Sequence, residues 1–111
     1  MKLYRSSDDL SVCVSYFGAS NGKGSFDNAT ASATHRPTHW WVDRVFVYPP
    51  LRGKGLGKRL VTEMLELVRA RGGSTVQVAP GGYNMKYSDQ RTFYESCGFT
   101  EIEPGLMELT L

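Results

Sequence analysis

The sequence predicts an α+β fold: a mixed sheet with antiparallel strands on its N-terminal side, a parallel pair at its centre, and two main helices. Three observations carry that prediction. Residues 10–17, LSVCVSYF, alternate Leu10, Val12, Val14 and Tyr16 against Ser11, Cys13 and Ser15, the pattern of a strand with one buried face. WWVDRVFVY, residues 40–48, is apolar on both faces apart from Asp43 and Arg44, as a central strand is. From Leu56 to about Arg71 the period changes: Leu60, Val61, Met64, Leu65 and Val68 fall on one helical face.

Between the first two strands, ASNGKGS (19–25) carries Asn-Gly, which supplies the positive φ angles of a tight hairpin. A polar returning strand follows over roughly 26–34, and its Ala, Ser and Thr content points to an edge or a half-exposed face. HRPTH (35–39) is a second connection, where Pro37 interrupts the ladder. Pro49 and Pro50 stop the central strand. On the outer face of the helix, Arg59/Glu63 and Glu66/Arg69 are spaced as surface pairs, and Gly72-Gly73 supplies its C-cap. STVQVAP (74–80) is a short buried strand, so strand, helix and strand form a βαβ unit with 40–48 and 74–80 parallel. A loop over 81–87 precedes a second helix at roughly 89–97, capped by Ser88 or Asp89 and ended by Gly98. Two short strands near 99–103 and 106–111 complete the chain, read as a single domain over 1–111.

Bulk properties exclude several classes. With 111 residues and 41% hydrophobic content, the chain can build one core with little to spare. A net charge of +2 is low for a nucleic-acid binder of this size. No apolar run approaches the roughly 18–20 residues that span a bilayer, and MKLYRSSDDLSVCVSYF lacks the apolar core of a secretory signal. Cys13 and Cys97 match no metal spacing and read as free thiols in a reducing cytosol. The expectation is a cytoplasmic protein with no metal and no membrane partner.

The chemistry concentrates in RGKGLG, residues 52–57, between the central strand and the helix. A P-loop is excluded because Gly53 and Gly57 are one residue too close and Arg59 replaces the magnesium-binding Ser or Thr. The dinucleotide fingerprint fails because Lys58 stands where its last glycine belongs. What remains is either a plain glycine-rich turn in a basic loop or a general anion cradle. A loop entering a helix presents unpaired N–H groups at the positive dipole end, glycines let an anion approach, and Arg52, Lys54 and Lys58 add charge.

VFVYPPLRGKGLGKRL (45–60) resembles the acetyl-CoA-binding signature of the GNAT N-acetyltransferase superfamily, a strand ending V-x-P and then x-x-[QR]-x-x-G-x-[GA]. Val47, Pro49, Arg52, Gly55 and Gly57 stand at all five positions. Downstream, FYESCGF matches the family's Y-x-x-x-G-F through Tyr94, Gly98 and Phe99. The resemblance covers about residues 40–111 and implies a GNAT-like fold with a splayed central pair.

By that resemblance, the cofactor-binding residues are Phe46, Val47, Arg52, Gly53, Lys54, Gly55, Leu56, Gly57 and Lys58. Amides of the 53–58 loop would hold the pyrophosphate of acetyl-CoA, the acetyl donor. The pantetheine arm would pair with the backbone of Phe46 and Val47. Tyr94 corresponds to the tyrosine that protonates the departing thiolate in many members; the other reading is an aromatic buried beside Phe93 and Phe99. Many relatives place a glutamate base on a central strand, but Gln77 in strand 74–80 cannot serve. Asp43 is the acid nearest the implied cleft, although it could pair with Arg44 or Arg36, and His35 and His39 lie in the preceding turn. Tyr87 and Gln90 depart from the family's N-x-x-A pattern, with Asn84 close by.

The implied activity is transfer of acetyl to an amine, with a protein lysine or N-terminus as the acceptor favoured by a short N-terminal part that leaves the acceptor face open. A small amine substrate and a non-catalytic coenzyme A or partner-binding module are the alternatives. A homodimer through an edge strand is compatible with the sequence.

Overall fold

The computed structural model describes residues 3–16, 29–81 and 87–111. Seven strands are formed: β1 (Leu3–Ser7), β2 (Ser11–Tyr16), β3 (Ala29–His35), β4 (Trp40–Val47), β5 (Thr75–Val78), β6 (Thr100–Glu103) and β7 (Leu106–Thr110). Helix α1 (Leu56–Ala70) joins β4 to β5, and α2 (Tyr87–Ser96) joins β5 to β6. The sheet order is β1-β2-β3-β4-β5-β7-β6, so β4 is its fourth and central strand. All pairs are antiparallel except β4–β5. The mixed α+β sheet with a central parallel pair is the expected fold.

The parallel ladder is short. It pairs Trp40 with Val76 and Trp41 with Gln77, then stops, while β4 continues to Val47. The two central strands therefore part from Val42 and Val78 onward, as the resemblance implied.

α1 covers one face of the sheet. Leu56, Leu60, Val61, Met64, Leu65 and Val68 are all buried, on the stripe that the sequence periodicity marks. Each such side chain contributes about 1.5–3 kcal/mol of burial. They rest on Val12 and Val14 of β2 and on Ala29, Ala31 and Ala33 of β3. The alanines correct one expectation: β3 is an interior strand, and its small residues let the helix approach closely. Its Thr and Ser residues occupy the opposite face, which made the segment look like an edge. The edge on that side of the sheet is β1, a strand without a signal in the sequence. LYRSS is polar and largely exposed, and it offers no apolar alternation.

The ends of α1 are built differently. At its C-terminus, Gly72 takes φ +82° and the Gly73 amide donates to Val68 O at 2.9 Å. Gly73 is also a packing requirement, since a Cβ there would fall 2.4 Å from a Val68 methyl and 2.8 Å from the Trp40 ring. Of the two predicted surface pairs, Glu66–Arg69 forms at 2.8 Å, whereas Glu63 pairs with Arg5 of β1 instead of Arg59. α2 starts earlier than expected, so Ser88 and Asp89 lie within its first turn and do not cap it. The predicted 19–25 hairpin and most of the 81–87 loop, with Asn84, lie outside the described residues.

Candidate active site

The β4–β5 splay opens onto the start of α1. After Val47, Pro49–Leu51 form a single 3-10 turn beyond the C-terminal end of β4. Arg52 then bonds back to the strand it has just left, its Nε donating to Val47 O at 2.8 Å. Gly53 takes φ +81° and Gly55 φ +77°, a left-handed backbone that L side chains adopt at a cost of about 1–2 kcal/mol. These two glycines turn the loop so that Gly55 becomes the N-cap of α1.

No side chain caps that end, and no acidic residue occupies the first turn. The first helical bond runs from Arg59 N–H to Gly55 O at 3.1 Å, so the amides of Leu56, Gly57 and Lys58 stand outside the ladder. Three donors at a positive dipole end, with the exposed Arg52 and Lys58 beside them, fit a phosphate group. Gly57 has a separate role. Its backbone is helical, but a Cβ would meet Phe93 Cε1 at 3.2 Å and a Val47 methyl at 3.4 Å. It lets the helix start, β4 and α2 converge.

A groove of about 410 Å³ runs along this convergence. Val45 and Val47 of β4 form one wall, the 52–58 loop the end, and Phe93 and Tyr94 of α2 the other wall. A basic end lined by Arg52 and Lys58 and an apolar body lined by Val45, Val47, Leu51 and Phe93 match a ligand with a phosphate head and an apolar arm. Of the residues predicted to bind the cofactor, Val47, Arg52, Gly53, Gly55, Leu56, Gly57 and Lys58 line it. Lys54 does not. Phe46 does not either: its ring lies under the Arg44 guanidinium, 5.2 Å from the centroid. Val45, Leu51, Gln90, Phe93 and Ser96 also line the groove, beyond the residues expected from the sequence. Phe93 had a visible signal, since it immediately precedes Tyr94 of the motif on the same short helix.

Tyr94 is buried, with ring centroids 5.2 Å from Phe93 and 5.5 Å from Phe99. It sits at a junction, lining both the groove and a smaller cleft of about 40 Å³ inside the splay. Asp43 lines that smaller cleft. Burial, and secondarily the neighbouring Cys97 thiol, push the Tyr94 phenol far above its ordinary value. Burial likewise raises the Cys97 thiol, partly countered by Ser96 and Lys58.

Asp43 owes its position to a β-bulge. Ser32 pairs with Arg44 while Ala33 pairs with Val42, so Asp43 is the extra residue of β4. Its carboxylate is exposed and accepts a hydrogen bond from Thr34 Oγ1, in place of the ion pairs with Arg44 or Arg36 that the sequence left open. His35 stacks on Trp40 at 5.1 Å and His39 meets Trp41 edge-on at 6.2 Å; neither lines the groove or the cleft. Gln90 accepts from the Gly81 amide at 2.6 Å, fastening the segment that follows β5 to α2. Among the described residues no group of His, Cys, Asp and Glu could hold a metal ion, and no helix is long and apolar enough to cross a membrane. Cys13 and Cys97 are both free.

Comparison with known proteins gives the same direction. Solved structures share the fold at low identity. The acetyltransferase of the GNAT family from Staphylococcus aureus MU50 superposes with a TM-score of 0.72 at 16% identity, covering 91% of this chain and 68% of that one. PaiA N-acetyltransferase from Thermoplasma acidophilum, solved in complex with coenzyme A, gives 0.69 at 15% identity, covering 92% and 62%. Anti-CRISPR protein AcrVA5 gives 0.62 at 18% identity, covering 74% and 90%. No curated protein matches the sequence significantly. The acetyltransferase (GNAT) domain family matches residues 12–101. The chain belongs to that family, the acetyltransferase (GNAT) domain proteins, and is an N-acetyltransferase that uses acetyl-CoA to acetylate an amine.

Proposed function

We propose that the acceptor is a protein amine, a lysine side chain or an N-terminus, and that Tyr94 serves the departing thiolate. The observation that carries this reading is the position of Tyr94 between the groove and the small cleft with Asp43. In it, the amides of Leu56, Gly57 and Lys58 hold the pyrophosphate. Arg52, Gly53, Lys54 and Gly55 shape and charge that end, and the backbone of Phe46 and Val47 runs beside the pantetheine arm.

The thioester carbonyl then lies at the splay, where β4 has left its ladder with β5 and backbone N–H groups are free to polarise it. A neutral amine attacks the carbonyl carbon, the C–S bond breaks, and the nitrogen gives up a proton to Asp43, directly or through water. Tyr94 donates to the sulfur. A phenol pushed above its ordinary value stays protonated at all working pH but is a reluctant acid. Its contribution is a hydrogen bond to the developing thiolate, with full proton transfer late. The whole of 1–111 acts as one unit in this scheme.

The bulge exposes Asp43 on the sheet side away from α1 and α2, where Thr34 and Trp41 are half-exposed. An open face of this kind suits a peptide better than an enclosed metabolite. Incubation with acetyl-CoA and a proteome lysate, with acetylated sites mapped by mass spectrometry, tests the acceptor class. Acetylated lysines or N-termini are expected. Thiol release only with added small amines overturns the protein acceptor in favour of a metabolite enzyme.

A further inference from the structure

The sheet face opposite the helices carries a second polar arrangement beside the splay. Thr34 pairs with Trp41, Trp41 with Gln77 and Gln77 with Glu108, so these four side chains stand in one row across β3, β4, β5 and β7. All four are half-exposed. Their alternates, Trp40, Val76 and Met107, are buried under the helices. The row is the last one before β4 and β5 part, so it borders the cleft where the thioester is cut.

Within the row, Gln77 Nε2 donates to Glu108 Oε2 at 2.9 Å. This bond fixes the carboxylate on the face without neutralising it. Among the described residues no cationic side chain pairs with Glu108. Arg44, the nearest cation of β4 on this face, lies on the far side of β5, with its guanidinium over Phe46. A half-buried carboxylate held by a neutral amide keeps its full capacity for a positive partner. Trp41, in the same row, adds an aromatic surface over which an alkyl ammonium or guanidinium passes favourably.

Strands lie about 4.8 Å apart, so the Glu108 backbone is roughly 10 Å from that of Trp41 and the splay opens one residue beyond. In an extended peptide, side chains two residues apart are separated by about 7 Å and share a face. A peptide that presents its amine at the splay therefore reaches Glu108 with a neighbouring side chain.

We propose that Glu108, oriented by Gln77, is a specificity-determining carboxylate that receives a positively charged side chain flanking the acetylated amine. This rests on the reading of the acceptor as a protein. Glu108 selects which amines are used and takes no part in bond making.

The test uses two lysine peptides that differ only in carrying arginine or norleucine near the acceptor lysine. The wild-type protein is expected to show a KM about two- to fivefold lower for the arginine peptide, with similar kcat, the range of a partly screened ion pair. Glu108→Gln brings the two KM values together, and Gln77→Leu does so in part. Glu108→Lys reverses the preference towards a peptide with glutamate at the flanking position, which a merely structural role cannot do. Equal wild-type KM values, or a preference that survives both Glu108 substitutions, overturn the proposal. Turnover of neither peptide, with acetylation of small amines intact, overturns it together with the protein-acceptor reading.

Discussion

The Arg52 guanidinium closes back onto the strand that leads to it, Nε donating to the Val47 carbonyl oxygen at 2.8 Å. This contact makes the turn between β4 and α1 a clasp. One residue both ends the groove wall and orients the anion-binding loop. Arg52→Ala should weaken coenzyme A binding by about 10- to 100-fold, the loss of a charge-assisted contact plus a loosened loop. Arg52→Lys keeps the charge but has no donor at the Nε position, so titration calorimetry should show only partial recovery.

Two glycines of the loop should fail for different reasons. Gly55→Ala places a side chain at φ +77°, with open space around its Cβ. It should cost about 1–2 kcal/mol of stability and distort the cap. Gly57→Ala gains about 1 kcal/mol of helix propensity. Against that, its Cβ meets Phe93 at 3.2 Å, which pushes α2 against the groove. Its melting temperature should change little while coenzyme A affinity falls, and Phe93→Leu should restore part of the affinity.

Much of this architecture is legible in the sequence, for identifiable reasons. The βαβ unit shows because α1 is amphipathic over its whole length and β4 is apolar on both faces. The donor site shows because phosphate binding needs glycines and basic residues close together in the chain. β1 escapes because an exposed edge strand carries no pattern. The bulge at Asp43 escapes because register is a property of two strands, and neither segment alone records it. Glu108 escapes for a similar reason: its partner Gln77 is 31 positions away, joined only through the β5–β7 pairing.

Tyr94→Phe removes one hydroxyl and keeps the packing against Phe93 and Phe99. Turnover should fall by about 10- to 10⁴-fold with coenzyme A affinity nearly unchanged. An unchanged kcat removes Tyr94 from the reaction.

The same substitution has a signature in alkali. The folded-state pKa of Tyr94 is raised above its ordinary value of 10.0, so the folded state holds the phenolic proton more tightly than the unfolded chain. The associated stability is fully present below about pH 10 and is lost as pH rises from there through the folded-state value. Denaturant melts from pH 8 to 11 should show the wild type losing stability faster than Tyr94→Phe at the alkaline end. Parallel curves contradict the burial of this hydroxyl.

Gly73→Ala tests the core beneath α1. A Cβ at 2.4 Å from Val68 and 2.8 Å from Trp40 cannot be accommodated without moving the helix end. The expected loss is about 1–3 kcal/mol, read as a shift in denaturation midpoint with an unchanged slope.

Tyr94 stands at the junction between groove and cleft, where the proposed chemistry occurs. The most direct measurement follows free thiol released from acetyl-CoA and acetylated peptide in the same reaction, for the wild type and Tyr94→Phe. One thiol per acetylated amine, with both rates reduced together in the variant, is the predicted result. Tight binding of acetyl-CoA with no thiol release above background, on any peptide or small amine, contradicts it and makes the chain a coenzyme A-binding module.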